Sequence, residues 1–143
     1  MDGVSEGRIP PHSNDAEVSV LGAAMLSSNA LNDVTEILKP EDFYDKNHKE
    51  IYEAILSLHR RNAPVDVLTV AEELKKRNSL KIVGGRSYVA SLSSSTPTTS
   101  NAVEYAKIVA EKASIRRLIS TADDIVEKAY DGGLDAHQML DFA

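Results

Sequence analysis

Few residues in this chain have the type and spacing to do chemistry, and each has a structural explanation beside the chemical one. Asp45 and His48 lie three apart with Asp42 just before them, a spacing that lets one helix end gather two carboxylates and an imidazole around a metal ion. The structural reading is that Asp42 and Asp45 favour the positive end of a helix dipole and that His48 packs as an ordinary surface or core residue. His12, His59 and His137 are scattered, with no pair at i, i+4. The adjacent acids Glu41-Asp42, Glu72-Glu73 and Asp123-Asp124 would point in different directions on a helix, so none makes an acid/base pair. Gly84-Gly85 lacks the preceding strand and the following Lys-Ser/Thr of a phosphate loop and reads as a turn. We therefore expect no catalytic residue, metal or cofactor in this chain.

The cations cluster as His59-Arg60-Arg61, as Lys75-Lys76-Arg77, and as Lys112, Arg116 and Arg117. The first two fall at expected helix C-termini, where positive charge complements the dipole. The third is flanked by Glu104, Glu111 and Asp123, as on a solvated, ion-paired helix face. A formal net charge of −6 over 143 residues is the wrong sign for a domain built chiefly to grip phosphates. There is no cysteine, hence no disulfide or thiolate site, and the cytosol is the default compartment. No apolar run approaches the roughly 18 residues of a membrane span, so no membrane partner is expected.

The elements that must position these residues are helices. Ser13 to Asp15 offers N-cap candidates before Ala16, Val20, Leu21, Ala24 and Met25 at helical spacing. A short second helix fits 30–38 and is stopped by Pro40. Ile51, Tyr52, Ile55, Leu56 and His59 place a third over 46–60, and Val67, Val70, Ala71 and Leu74 a fourth ending near Asn78. The only β-like stretch, 80–83, is too short to found a sheet. Tyr88, Val89 and Leu92 mark a short fifth helix before a Ser/Thr-rich connection with Pro97. From Asn101 to Tyr130 there is neither Gly nor Pro, which predicts one helix of about eight turns. Gly132-Gly133 stops it, and Asp135 caps a last helix in which the chain looks cut. The expected fold class is all-α: an N-terminal extension over 1–14, a compact head of about five helices over 15–100, and a protruding helical hairpin over 101–143 with a short second arm.

On the long helix Ile108, Ile115, Ala122 and Ala129 recur every seven residues, joined by Leu118 and Ile125. Ile119 and Val126 widen the stripe beyond one narrow seam. Either it folds back on the head, or the hairpin buries it against other subunits or partners.

Arg8-Ile9-Pro10-Pro11, Asp15-Ala16-Glu17 with Val20-Leu21-Gly22, and Pro40-Glu41-Asp42-Phe43-Tyr44 with His48 and Ile51-Tyr52 together resemble the opening of DnaB-type replicative helicases. The likeness continues through Pro64-Val65-Asp66, Thr69-Val70, Gly84-Gly85 with Tyr88, Pro97-Thr98 with Asn101, Tyr105-Ala106, Ile108-Val109, Glu111-Lys112 and Arg116-Arg117-Leu118-Ile119. It implies a helical head and hairpin that in the whole protein precede a RecA-like ATPase domain, which binds ATP and magnesium, drives the hexamer and is absent here. It also implies that these N-terminal domains pair through their hairpins into a collar whose outer surface receives the helicase-binding C-terminal domain of primase. A helicase loader is a further candidate partner. The chain departs from the family pattern in Asp15, where Glu is usual, and in the short second arm. On this basis Asp15, Tyr88, Ile119 and Ile125 are the expected partner-binding residues, and Ile108, Ile115, Leu118, Ala122 and Val126 the expected self-association residues. The alternative from another class is a helical domain that contacts single-stranded DNA through its cation clusters.

Overall fold

The structure, a computed structural model, describes residues 8–143; residues 1–7 of the expected extension lie outside the described residues. Seven α-helices account for the regular structure among them, with one 3-10 turn at Pro40–Asp42 and no strand. The helices are α1 (Asn14–Leu26), α2 (Ser28–Ile37), α3 (Lys46–Arg60), α4 (Val67–Lys76), α5 (Gly85–Ser94), α6 (Ala102–Asp131) and α7 (Ala136–Phe142).

Short polar side chains fix where most of these helices begin. Ser13 caps α1 by accepting from the Ala16 amide at 3.2 Å. Ser27 ends α1 and caps α2 through the Ala30 amide at 3.1 Å, so one residue makes that corner. Asp45 caps α3 by accepting from the amides of Asn47 and His48. Asp66 with Thr69, and Asp135 with Gln138, form reciprocal capping boxes at α4 and α7. The stretch 80–83 makes local hydrogen bonds instead of a strand: Val83 donates to the Ser79 carbonyl, Gly84 to Lys81 and Gly85 to Leu80. The chain leaves this turn through Gly84 and Gly85 at φ +116° and +79°, values that a side chain would strain.

By its contacts the chain forms two compact units. One is His12–Ala113; the other joins the described residues up to Pro11 with Ser114–Ala143. In the larger unit α1 is the central helix, with Ala16, Val20, Leu21, Ala23, Ala24 and Met25 all buried and α2, α3 and α5 packed around it. Gly22 is where α5 crosses α1: a Cβ there would stand 2.3 Å from the Leu92 carbonyl oxygen and 1.8 Å from Thr96 Oγ1. Leu21, Ile51, Ile55, Leu74 and Leu92 fill the core. Tyr52 lies among them, its ring against Phe43 and its hydroxyl donating to the Leu38 carbonyl at 2.9 Å. Burial of that ring pushes its hydroxyl well above the ordinary tyrosine range. The first turns of α6 close this unit through Ala102, Ala106, Val109 and Ala113, all buried. The second unit holds the remainder of α6 and α7, and α7 buries none of its residues.

Candidate protein interface

His48 is fully buried, and its neighbours explain it without a metal. Its Nδ1 lies 2.8 Å from Glu17 Oε1 and its Nε2 2.5 Å from the Tyr88 hydroxyl. Where Glu17 is the carboxylate, Nδ1 donates to it, and in the neutral imidazole Nε2 then accepts from the Tyr88 hydroxyl. Glu17, itself 2 % exposed, also accepts from the backbone amides of Tyr44 at 2.8 Å and Asp45 at 3.3 Å. A buried carboxylate is thus matched by three donors, and α1, α3 and α5 are tied at one point. Asp45 is engaged as the α3 cap, and Asp42 accepts from the Lys39 amide at 2.9 Å. Among the described residues no three His, Cys, Asp or Glu side chains gather as a metal site. Sequence reasoning had His48 as ordinary packing and missed its partners, because Glu17 and Tyr88 are 31 and 40 residues away from it.

Of the residues expected to meet a partner, Asp15 is exposed in the first turn of α1, one residue before the buried face begins. Tyr88 is half-buried. Its ring lies parallel to that of His48, with centroids 6.0 Å apart, and a Cβ added at Gly84 would stand 2.8 Å from its Cβ. Burial, helped by the negative charges of Asp45 and Glu17, raises its hydroxyl above the ordinary range. These two residues belong to the larger unit.

The α6 residues present a different picture. Ile108 in the larger unit is 42 % exposed, and in the second unit Ile115 and Leu118 are 37 % and 67 % exposed. Ala122 is exposed as well, while Ile119, Ile125 and Val126 are half-buried. No residue of the stripe is buried by its own chain. Within the second unit, Arg116 Nη1 donates to the Pro11 carbonyl at 2.8 Å. Arg8 to Pro11 and the α6 residues Arg116, Ile119, Ser120 and Asp123 line a groove of about 520 Å³. Asp123 Oδ1 is buried there without a hydrogen-bond partner among the described residues. At the far end of α6, Lys128 sits 5.2 Å over the Phe142 ring and links α6 to α7.

Arg61 and Arg77, one from each cation cluster of the larger unit, are held in ion pairs. Arg61 pairs with Glu73 at 2.8 Å, and Arg77 bridges Glu50 at 2.8 Å and Glu53 at 3.1 Å. The hydrogen bonds from these guanidinium groups hold Glu73 and Glu50 below the usual carboxylate range.

The geometry is that of a helical domain in which Glu17, His48 and Tyr88 satisfy one another in the interior and α6 carries an exposed apolar face. Comparison with known proteins gives the family. The model of the DnaB-like helicase N-terminal domain matches residues 9–111. The chain belongs to this family. The replicative DNA helicase DnaB of Mycobacterium leprae is 45% identical over 139 residues, which are 96% of this chain and 23% of that protein. The chain therefore spans about a quarter of the length of this curated relative. The crystal structure of the DnaB N-terminal domain from Mycobacterium tuberculosis aligns with a TM-score of 0.89 at 45% identity, over 93% of this chain and 94% of that one. The DnaB N-terminal domain of Helicobacter pylori, described with its interactions with primase, aligns with a TM-score of 0.70 at 25% identity, over 81% of this chain and 90% of that one. The all-helical class expected from the sequence is the class of this DnaB-like domain, and no described helix is long and apolar enough to cross a membrane.

Proposed function

We propose that this DnaB-like domain is a non-catalytic assembly and docking module of a replicative helicase: it associates with other copies through α6 and receives the C-terminal domain of primase. The observation that carries the reading is the α6 stripe, which stays exposed or half-exposed along five turns. Membership of the family, and the interactions with primase described for the H. pylori domain, support the identity of the partner.

The stripe can be weighed. The exposed fractions of Ile108, Ile115 and Leu118 amount to about one and a half whole side chains per copy. A two-fold pair counts each residue twice, giving three side chains and roughly 5–9 kcal/mol of gross burial. Association costs about 4–15 kcal/mol in lost freedom and ordering. Pairing through these three residues alone is marginal, and Ala122 and Val126 add the contact area that a pair needs. Collar formation thus depends on neighbouring copies as well. Ile119, Ile125, Asp15 and Tyr88 are assigned to primase, with Asp123 Oδ1 an acceptor that a donor from a partner would satisfy. ATP and magnesium have no assigned place in this chain, because it lacks phosphate-loop spacing.

Light scattering across a concentration series tests the self-association. A mass that rises with concentration, and that falls back to the monomer in Leu118→Ser at unchanged melting temperature, supports the reading. A chain that stays monomeric at all concentrations refutes the role of α6 in self-association. A magnesium-dependent ATPase activity in the pure chain would refute the non-catalytic assignment.

A further inference from the structure

We propose that the loop joining α4 to α5 is a second docking surface, one that takes an acidic peptide segment carrying an apolar side chain. Residues 72–86 hold five basic and two acidic side chains, a net of +3 in a chain of −6, so the other residues carry −9 between them. Glu50 and Glu53, which pair with Arg77, reduce this excess without cancelling it. Arg86 is paired with Glu72, and Arg77 is held by Glu50 and Glu53. Lys75 and Lys81 are exposed and form no ion pair among the described residues. Lys75, Lys81 and Arg86 line, with Asn78, Leu80 and Gly85, a groove of about 480 Å³.

The same loop presents Ile82, which at 74 % exposure is the most exposed large apolar side chain of the unit His12–Ala113. An apolar side chain so exposed on a loop that also carries Lys81 fits a partner that combines carboxylates with a hydrophobic anchor. The loop is also held in shape before any partner arrives. Val83 is 2 % exposed, and buried Ser79 donates its hydroxyl to Glu50 Oε2 at 3.0 Å. Three consecutive amides, of Val83, Gly84 and Gly85, bond back into the turn. Ile82 therefore stands on a loop anchored on both sides, and little ordering cost is left for binding. The surface favours a peptide over nucleic acid: Leu80 lines the groove, the exposed Ile82 stands on the same loop, and no aromatic ring lines the groove for a base to stack on.

The test is a titration of the isotopically labelled chain, at physiological ionic strength, with three probes followed by amide chemical shifts. The probes are a short synthetic peptide of aspartate and glutamate with two leucines, the same peptide with serines in place of the leucines, and oligothymidylate of similar length. We expect saturable shifts at Lys75, Lys81, Ile82 and Arg86 with the leucine peptide alone. Affinity should fall about tenfold in Ile82→Ser and in the pair Lys75→Glu, Lys81→Glu, all exposed positions whose spectra report retained folding. Equal shifts from the serine peptide would reduce the surface to general charge attraction and overturn the proposal. So would shifts from oligothymidylate alone, or no shift at these residues with any probe.

Discussion

Glu17→Ala should be among the most damaging single changes in the domain, although Glu17 sits on the first full turn of a helix where an acid reads as a surface residue. The alanine removes the acceptor for three buried donors: the Tyr44 amide, the Asp45 amide and His48 Nδ1. Each donor left unpaired costs about 1–3 kcal/mol, and water entering the space would hold the sum near the lower end, at about 3–5 kcal/mol. That is a large fraction of the roughly 5–15 kcal/mol that keeps a domain folded. Glu17→Gln retains the shape and one accepting oxygen, but turns an amide toward a donor, and should lose about half as much. Asp15→Ala, two residues away and exposed, should change stability by no more than about 0.5 kcal/mol. The assay is urea unfolding followed by circular dichroism for all three variants. A second readout is the coupling between Glu17→Gln and Tyr88→Phe, since the two changes act on opposite nitrogens of one imidazole and should not add. A loss below 1 kcal/mol for Glu17→Ala, or one equal to that of Asp15→Ala, would refute the network as a source of stability.

Gly22→Ala should destabilise the fold by at least about 1–3 kcal/mol, because the new methyl meets the Leu92 carbonyl and backbone must shift; an unchanged melting temperature would contradict the α1–α5 crossing. The Arg77 guanidinium holds Glu50 below the ordinary carboxylate range, so the stability this pair contributes is present above that range and is lost as pH falls through the lower folded value. Glu50→Gln should accordingly flatten the acid limb of the stability profile below about pH 4.5 and leave its shape near neutrality unchanged, as read from melting temperature against pH. Tyr88→Ala, Ile119→Ala and Ile125→Ala should each weaken primase binding by about 1–2 kcal/mol, measured by calorimetry. The two α6 changes should leave the melting temperature nearly unaltered, whereas Tyr88→Ala should also lower it, because its hydroxyl bonds His48.

Local rules made much of the fold legible. The periodic run Ile51, Tyr52, Ile55, Leu56 and His59 marked α3 over 46–60, the range observed. The absence of Gly and Pro across 101–130 marked α6, and Gly84-Gly85 marked a turn whose left-handed angles are now seen. The excess width of the α6 stripe was also visible, and its residues are indeed not buried by their own chain. Features set by distant partners were not legible. Glu17 and Ser19 carry no sign in their own segment that they are buried, since what buries them comes from other helices. Tyr88 read as an aromatic after a turn, but its hydroxyl points at an imidazole 40 residues earlier. The segment 8–11 gave no periodicity, and its packing on α6 rests on a carbonyl-to-guanidinium bond spanning 105 residues.

Isothermal calorimetry of this chain against the C-terminal domain of the primase from the same organism tests the docking role most directly. The account predicts saturable binding with a dissociation constant on the order of micromolar or tighter, that is about −8 kcal/mol or stronger. It predicts further that Ile119→Ala weakens this binding while the folded signal of the chain is retained. A folded chain that gives no binding heat with a folded primase domain at concentrations well above that range would contradict it.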